Sequence, residues 1–251
     1  MTTNTTAPRP LRIAILGCGK IGSAFAFRLA RAGHTLTVIA RPGSSRFEQL
    51  RREGAIVDDN GERANVAVTD TLDEQTPYEL IVITLLAHQI AATMPALQRC
   101  RAGIILFMFN TFDPDSLCDA VGAGRAAFGM PFIQAQLDGE GRVKAIIGAA
   151  GRKTLLGDQQ WVDLFDGAGL PAALEPDMPL WLRSHAPLCV AFESVSVAAM
   201  RRGSGASWRE ALMLARGVHA AFGLLKALGY ALHPSKRGLD RTPTWGVAAM
   251  L

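Results

Sequence analysis

Short apolar runs alternate with amphipathic segments along the first part of the chain. Residues 11–16 are almost all apolar, glycines follow at once, residues 21–32 carry helix formers, and residues 36–40 are apolar again. An uninterrupted apolar run is typical of a strand covered on both faces. Strand, helix and strand within about 30 residues predict a parallel unit. Gly33 stands where the glycine that ends such a helix is expected.

The alternation continues through the next hundred residues. The pattern predicts strands at residues 65–69, 80–85 and 104–109 and a helix at residues 90–97. A turn at residues 138–141 predicts a hairpin between residues 128–136 and 143–148, which would add antiparallel strands at the far end of the sheet. Strands that alternate with helices favour a doubly wound fold.

From about residue 179 onward the pattern is helical only. Residues 180–200 form a long apolar segment that we expect to break at Pro187. Residues 207–228 have apolar side chains with the 3.6-residue period of a packed helix. This second helix begins with an S-x-x-E capping box and is followed by Gly229, which supplies the stop.

These patterns predict an α/β protein: a Rossmann-type doubly wound, mostly parallel sheet followed by a helical C-terminal domain. We expect a disordered tail over residues 1–10, a Rossmann domain over residues 11–178, and a helical substrate or dimerisation domain over residues 179–251. The apolar ending at residues 248–251 predicts that the helical domain is either truncated or has dispensed with a further segment. An apolar end can also be covered by a partner subunit, so a homodimer through the helical domain is expected.

Composition narrows the classes of function. With 251 residues, 49% hydrophobic and 19% charged, the chain is globular. The net charge of +4 comes from scattered cations with only 7% aromatic residues, which argues against nucleic-acid binding. The four cysteines have no metal-ligand spacing, so we expect no metal and a reducing compartment. No signal peptide and no apolar run of membrane-spanning length is present, and the predicted location is the cytoplasm, away from membranes.

A G-x-G-x-x-G motif follows the first predicted strand and opens the first helix. The first glycine allows the tight turn, the second lets the backbone approach a pyrophosphate, and the third lets helix and strand pack closely. The anion would lie at the positive end of the helix. The motif predicts that a dinucleotide binds at Gly17, Gly19, Lys20, Ile21 and Gly22.

The end of the second predicted strand favours NADPH over NADH. An acidic residue at this place holds a ribose hydroxyl, whereas a basic one holds a 2′-phosphate. The chain has Arg41 there, Ser44 follows, and no Asp or Glu competes at that corner. The alternative is that Arg41 is only a solvated surface side chain.

Four segments together resemble the ketopantoate reductase (2-dehydropantoate 2-reductase) family: LRIAILGCGKIG, ELIVITLLAHQI, the asparagine of FMFNTF, and LWLR at residues 180–183. The resemblance implies an NADPH-binding Rossmann domain joined to a helical domain, and reduction of the ketone of ketopantoate in pantothenate biosynthesis. It also implies that Arg41 meets the 2′-phosphate, that Leu85 and Leu86 line the cofactor, and that Asn110 lies near the nicotinamide and the substrate.

The chain departs from this family at its polar catalytic positions. Leu86 stands where the family has a lysine after the fourth strand. Two residues beyond Trp181 the family has its catalytic lysine, and asparagines follow four and eight residues later. The chain has Arg183, Pro187 and Ala191 at these positions.

Because the catalytic lysine of the family is replaced, another residue has to donate the proton during reduction. Reduction of a ketone places negative charge on oxygen, so a donor must stabilise that charge and then supply a proton. Arg183 can hold a carboxylate or an oxyanion but does not give up its proton. His185, two residues later, titrates near neutral pH and is the predicted acid. The alternative is a helix histidine satisfied by a nearby backbone group.

Two functions follow from these residues. The first is an NADPH-dependent reductase of a 2-oxo acid or related small ketone, with Arg183, His185 and Asn110 as catalytic residues. The second is a catalytically lapsed protein that binds NADPH or regulates another process.

Overall fold

The computed structural model describes residues 9–251, which form two compact units. One unit contains the chain up to Phe109 together with Leu117–Pro176, and the other contains Asn110–Ser116 and Asp177–Leu251. The tail expected at residues 1–10 therefore lies largely outside the described residues. Asn110–Ser116, which the sequence placed in the Rossmann domain, belongs to the helical unit.

The first unit is built around a sheet of mostly parallel strands. The strands of the chain are β1 (Arg12–Leu16), β2 (Thr35–Ile39), β3 (Ala55–Val57), β4 (Arg63–Asn65), β5 (Ala67–Thr69), β6 (Leu80–Ile83), β7 (Ile104–Phe107), β8 (Ala126–Met130), β9 (Ile133–Leu137), β10 (Val143–Ile147), β11 (Thr154–Leu156) and β12 (Ala172–Leu174). The main sheet has the order β12-β11-β8-β7-β6-β1-β2-β5. From β5 to β8 all pairs are parallel, as the alternation of strands and helices predicted.

Nine α-helices and two short 3₁₀ turns complete the described part of the chain. They are α1 (Lys20–Arg31), α2 (Ser45–Glu53), α3 (Ile90–Arg99), α4 (Pro114–Val121), α5 (Gln159–Gly167), α6 (Met178–Arg202), α7 (Trp208–Ala227), α8 (Pro234–Arg241) and α9 (Thr244–Met250), with 3₁₀ turns at Ala87–Gln89 and Ala149–Gly151. The Rossmann-type fold followed by helices is therefore confirmed.

The central strands are buried because helices cover both faces of the sheet. Every residue of β6 is inaccessible to solvent, as is most of β1. On one side, Phe25 of α1 meets Phe165 of α5 edge to face, with ring centroids 5.1 Å apart. Apolar runs without polar alternation are what this doubly covered position requires.

The predicted hairpin exists, but it does not extend the main sheet. β9 and β10 pair antiparallel in a two-stranded sheet of their own. Ile133, Ala135 and Leu137 pack on the core beside α1, whereas the intervening glutamines are less buried. This alternation gives the hairpin one apolar face, which covers α1 instead of a strand edge. The antiparallel neighbour in the main sheet is β11, beside β8.

In the helical unit, α6 runs unbroken past Pro187, so the predicted break is wrong. A proline inside a helix removes one hydrogen bond and costs about 3 kcal/mol. Burial of Leu182 and Leu188 on either side of Pro187 offsets this cost. The capping box at the start of α7 and the left-handed Gly229 after its end are confirmed. Within residues 9–251 no helix is long and apolar enough to span a membrane.

Candidate functional site

A cleft of about 740 Å³ opens at the carboxyl ends of β1, β2 and β6. In this sheet β1 lies between β6 and β2, where the order of the strands reverses, and ligands of doubly wound folds bind at such a point. The predicted residues that line the cleft are Gly17, Gly19, Arg41, Ser44, Leu85 and Leu86. Lys20, Ile21 and Gly22 continue from this lining into the first turn of α1.

Glycine is required at two positions of the turn between β1 and α1. Gly17 has φ of +100°, and a Cβ there would lie 2.8 Å from Leu85 Cδ2. A Cβ on Gly22 would meet the Gly17 carbonyl oxygen and lie 2.6 Å from Thr84 Oγ1. The Thr84 hydroxyl also donates to the Gly17 carbonyl at 2.6 Å. The turn, α1 and the end of β6 therefore fit together with no room for a side chain.

The start of α1 has the features of an anion site. Gly19 is the N-cap and offers no side-chain oxygen to the first amides, and the first turn carries no acidic residue. Amides of a first helical turn have no intrahelical acceptor. A Cβ at Gly19 would meet no atom within 4 Å, so the space in front of the turn is open. These features fit the pyrophosphate of a dinucleotide.

Arg46 holds this turn from α2. Its guanidinium donates to the Cys18 carbonyl at 3.3 Å, to Ser23 Oγ at 2.7 Å and to the Gly141 carbonyl at 2.7 Å. Cys18 lies beneath the turn, and burial raises the pKa of its thiol, which therefore stays protonated. The hydrogen bonds of Arg46 therefore join parts of the protein to one another.

The corner after β2 presents a guanidinium to the cleft. Arg41 is exposed, and within residues 9–251 no hydrogen bond or ion pair engages its side chain. Ser44 caps α2: its hydroxyl donates to the Arg41 carbonyl at 2.7 Å and accepts from the Phe47 amide at 3.2 Å. Ser44 thus shapes the corner, and Arg41 is the group there that is available to a ligand.

Asp70 also lines the cleft, although the sequence had shown no acid at this corner. It follows β5, which pairs beside β2, and the Ala40 amide donates to the Thr69 carbonyl at 3.1 Å. The two strand ends are thereby brought side by side. A reading of residues 38–46 alone could not find this carboxylate, because the pairing of β5 with β2 brings it there.

The end of β6 supplies apolar lining. Leu86 is 61% exposed and lies on the cleft, at the place where the related pattern has a lysine. Its amide donates to Gln89 Oε1 at 3.0 Å, which starts the 3₁₀ turn. On this side the cleft therefore has an apolar, uncharged surface.

In the helical unit, Arg183 is a buried cation with two partners. Its side chain is 7% exposed and pairs with the carboxylate of Asp115, which is 59% exposed. The guanidinium also lies over the ring of Tyr230, with its central carbon 4.3 Å from the centroid. Its charge further contributes to the lowered pKa of Asp113, after that residue's hydrogen bonds to Ser116.

The other two predicted catalytic residues also belong to this unit. The His185 ring packs on Trp181, with centroids 4.2 Å apart, and its Nδ1 atom is buried. Asn110 accepts a hydrogen bond from the Cys189 thiol, with Oδ1 and Sγ 3.5 Å apart. Asn110 directly follows Phe109 and therefore begins the short segment that the helical unit takes from the first half of the chain.

A family model described as ketopantoate reductase PanE/ApbA matches residues 13–158, which is more than half of the chain. The chain belongs to this family. The match spans most of the first unit and includes the glycine turn, Arg41 and Asn110. Members are oxidoreductases that act on small molecules, so the chain is a ketopantoate reductase-like protein. A search of curated proteins returns no match.

Solved structures agree on the fold. A PanE/ApbA family ketopantoate reductase from Ralstonia eutropha JMP134 superimposes with TM-score 0.71 at 19% identity, over 92% of this chain and 79% of the other. A 2-dehydropantoate 2-reductase from Porphyromonas gingivalis W83 gives 0.67 at 16% identity, over 96% and 93%. D-mandelate dehydrogenase, in a ternary structure with NADH and anilino(oxo)acetate, gives 0.66 at 17% identity, over 94% and 82%.

Proposed function

We propose that this ketopantoate reductase-like protein is an NADPH-dependent reductase of a 2-oxo acid or a related small ketone. The observation that carries the proposal is the pair of anion sites in one cleft: the glycine turn at the start of α1 and the unengaged guanidinium of Arg41. NADPH carries a pyrophosphate and a third phosphate on its ribose, so its binding needs both anion sites.

The residues present fit this cofactor. The amides after Gly17 would hold the pyrophosphate, Arg41 would hold the 2′-phosphate, and Leu85 and Leu86 would pack against the cofactor. When bound, the nicotinamide supplies the hydride for reduction. D-mandelate dehydrogenase is similar in fold and is described with NADH, so the choice of cofactor depends on Arg41.

For the substrate we propose that the helical unit provides the polar groups. Arg183 binds the carboxylate of a 2-oxo acid, because a buried guanidinium forms strong paired hydrogen bonds to such a group. Asp115 pairs with Arg183 in this structure and is mostly exposed, so a substrate carboxylate would have to displace it. Asn110 orients the ketone, and His185, which the sequence suggests as the acid, is one candidate for the proton donor in this unit.

The test is oxidation of NADPH in the presence of ketopantoate, benzoylformate and pyruvate, followed by the absorbance of the reduced nicotinamide. We expect turnover with at least one of these acids and a lower Kd for NADPH than for NADH. Absence of NADPH binding, or a clear preference for NADH, would refute the cofactor assignment.

The second candidate is a protein that binds NADPH and has lost catalysis. Leu86, Pro187 and Ala191, which replace a lysine and two asparagines of the family pattern, favour it, and so does the pairing of Arg183 with Asp115. Tight NADPH binding without turnover of any of the three acids would support this candidate against the reductase.

Three further parts of the proposal concern the oligomeric state, the cellular location and the metabolic pathway. We propose a homodimer through the helical unit, because α6 exposes Val190, Phe192, Val197 and Met200. Light scattering of the purified protein tests it. We propose the cytoplasm, which suits four cysteines that are all free thiols. We assign the reductase to pantothenate biosynthesis if ketopantoate is its best substrate.

A further inference from the structure

A lysine of α8 lies against Trp181, the tryptophan near the start of α6. Lys236 is on α8, and its Nζ lies 4.9 Å from the centroid of the Trp181 ring. The start of α8 is fixed to α6, because the His233 amide donates to Ser184 Oγ at 2.9 Å. Ser184 is itself fully buried, so the anchor is rigid.

The same lysine reaches the neighbourhood of Asn110. Burial raises the pKa of the Cys189 thiol, and the positive charge of Lys236 acts in the opposite direction. Cys189 is the residue that donates to Asn110 Oδ1. Trp181, Cys189, Asn110 and Lys236 therefore form one cluster within the helical unit, which we call the Lys236 cluster.

We infer that Lys236 is a catalytic residue that protonates the carbonyl oxygen of the substrate during reduction. This inference rests on the proposed reductase function and names its proton donor. Lys236 is part-buried, so it can contact a ligand and still exchange protons with water. An ammonium both stabilises the developing negative charge and carries a proton that it can release, which a guanidinium does not.

The step balances as follows. The hydride, which the reduced nicotinamide of the proposed cofactor would supply as it becomes oxidised, adds to the carbonyl carbon, and the electron pair of the C=O π bond moves to oxygen. An N–H bond of the Lys236 ammonium breaks while the O–H bond of the product alcohol forms. The neutral amine that remains takes a proton from water before the next turnover.

The groups around Lys236 determine which residue acts as the acid. At the Cys189 thiol the charges of Glu193 and Lys236 act in opposite directions, while His185 packs on the same Trp181 ring and His233 caps α8. The Nδ1 atom of His185 is buried. The charge of Lys236 acts to lower the pKa of the Cys189 thiol, which donates to Asn110 Oδ1. The cluster therefore brings Lys236 near Cys189 and Asn110, the residue that we expect beside the ketone.

The experiment compares five variants of the full chain, including Lys236→Ala for chemical rescue, with whichever 2-oxo acid the wild-type protein reduces. Lys236→Met removes the charge and the proton, and Lys236→Arg keeps the charge without a releasable proton. His185→Gln removes the other candidate acid. Lys226→Met is the matched control, because Lys226 is a lysine of the same unit that is engaged in an ion pair with Asp240 at 3.0 Å.

We expect kcat to fall about 100-fold or more in both Lys236 variants, since general acids contribute about 10² to 10⁴. Lys236→Arg should keep the wild-type KM, Lys226→Met should match the wild type, and Kd for NADPH should not change in any variant. In Lys236→Ala, added methylamine should restore part of kcat. The wild-type decline of kcat at high pH, where the ammonium deprotonates, should disappear in Lys236→Met.

Other results would overturn the assignment. If Lys236→Arg retained wild-type kcat, Lys236 would act only through its charge. If His185→Gln alone abolished turnover while Lys236→Met did not, the histidine would be the acid. A wild-type protein without turnover refutes the reductase itself, which separates that failure from failure of this inference. Circular dichroism and the Tm of each variant show whether it is folded.

Discussion

Replacing Gly22 by alanine would place a methyl group against the backbone of the nucleotide turn. The added Cβ would contact the Gly17 carbonyl oxygen and lie 2.6 Å from Thr84 Oγ1. These two atoms are joined by a 2.6 Å hydrogen bond, so neither can move without loss of that bond. Gly19→Ala is the matched substitution, because its Cβ would meet no atom of the protein within 4 Å.

The two substitutions should therefore separate stability from binding. Overpacking of a rigid site costs about 1–3 kcal/mol, and we expect Gly22→Ala to lie near the upper end because the contacted atoms are not flexible side-chain ends. Gly19→Ala should change the free energy of unfolding by only about 0.5 kcal/mol, the cost of a poorer N-cap. Its methyl group would instead occupy the approach of the pyrophosphate. A tenfold weaker Kd for NADPH corresponds to about 1.4 kcal/mol.

Urea unfolding gives the first quantity, and fluorescence titration with NADPH gives the second. We expect Gly22→Ala to lose stability and binding together, and Gly19→Ala to lose binding by at least about tenfold while it unfolds like the wild type. If Gly19→Ala bound NADPH as tightly as the wild-type protein, the cofactor would not lie over this turn, and the reasoning would be refuted.

Three further results are expected. Arg41→Ala should weaken NADPH binding about 10- to 100-fold and leave NADH binding unchanged, because one charge-assisted contact to phosphate is worth about 1.5–3 kcal/mol; equal loss for both nucleotides in titration would argue against a 2′-phosphate contact. Asp70→Asn should tighten NADPH binding a few-fold by removing a negative charge from the cleft, and weaker binding would instead assign Asp70 to a ribose hydroxyl. The hydrogen bonds of Glu210 to Arg202 and Ser207 lower its pKa to about 2, so its contribution to stability is present above the unfolded pKa and is lost as pH falls through the folded value. The Tm difference between wild type and Glu210→Gln should therefore shrink from pH 5 to pH 2, and a constant difference would contradict this assignment.

The parallel core was predictable because local pattern and burial agree there. Apolar runs such as β6 have no other stable position in a globular chain, and Gly17 and Gly22 stand where the turn leaves no space. The continuity of α6 was not predictable, since the burial that offsets the cost of Pro187 comes from tertiary packing.

The parts of the site that the sequence missed arise from long-range pairing. Asp70 reaches the cleft because β5 lies beside β2, and Thr84 reaches the turn because β6 lies beside β1. Lys236 is more than fifty residues beyond Trp181 and meets its ring only through the docking of α8 on α6. No spacing rule within a single element could indicate these neighbours.

The guanidinium of Arg46 connects the hairpin of β9 and β10 to the glycine turn between β1 and α1. Besides the glycine turn, it bonds the Gly141 carbonyl in the loop between β9 and β10, and Gln49 of α2 bonds the adjacent Glu140 carbonyl. This loop is far along the chain from residue 17. An insertion or deletion in it would nevertheless remove the hydrogen bonds that α2 makes to the Gly141 and Glu140 carbonyls. The length of an apparently peripheral loop is therefore constrained by the need to keep the nucleotide turn in place.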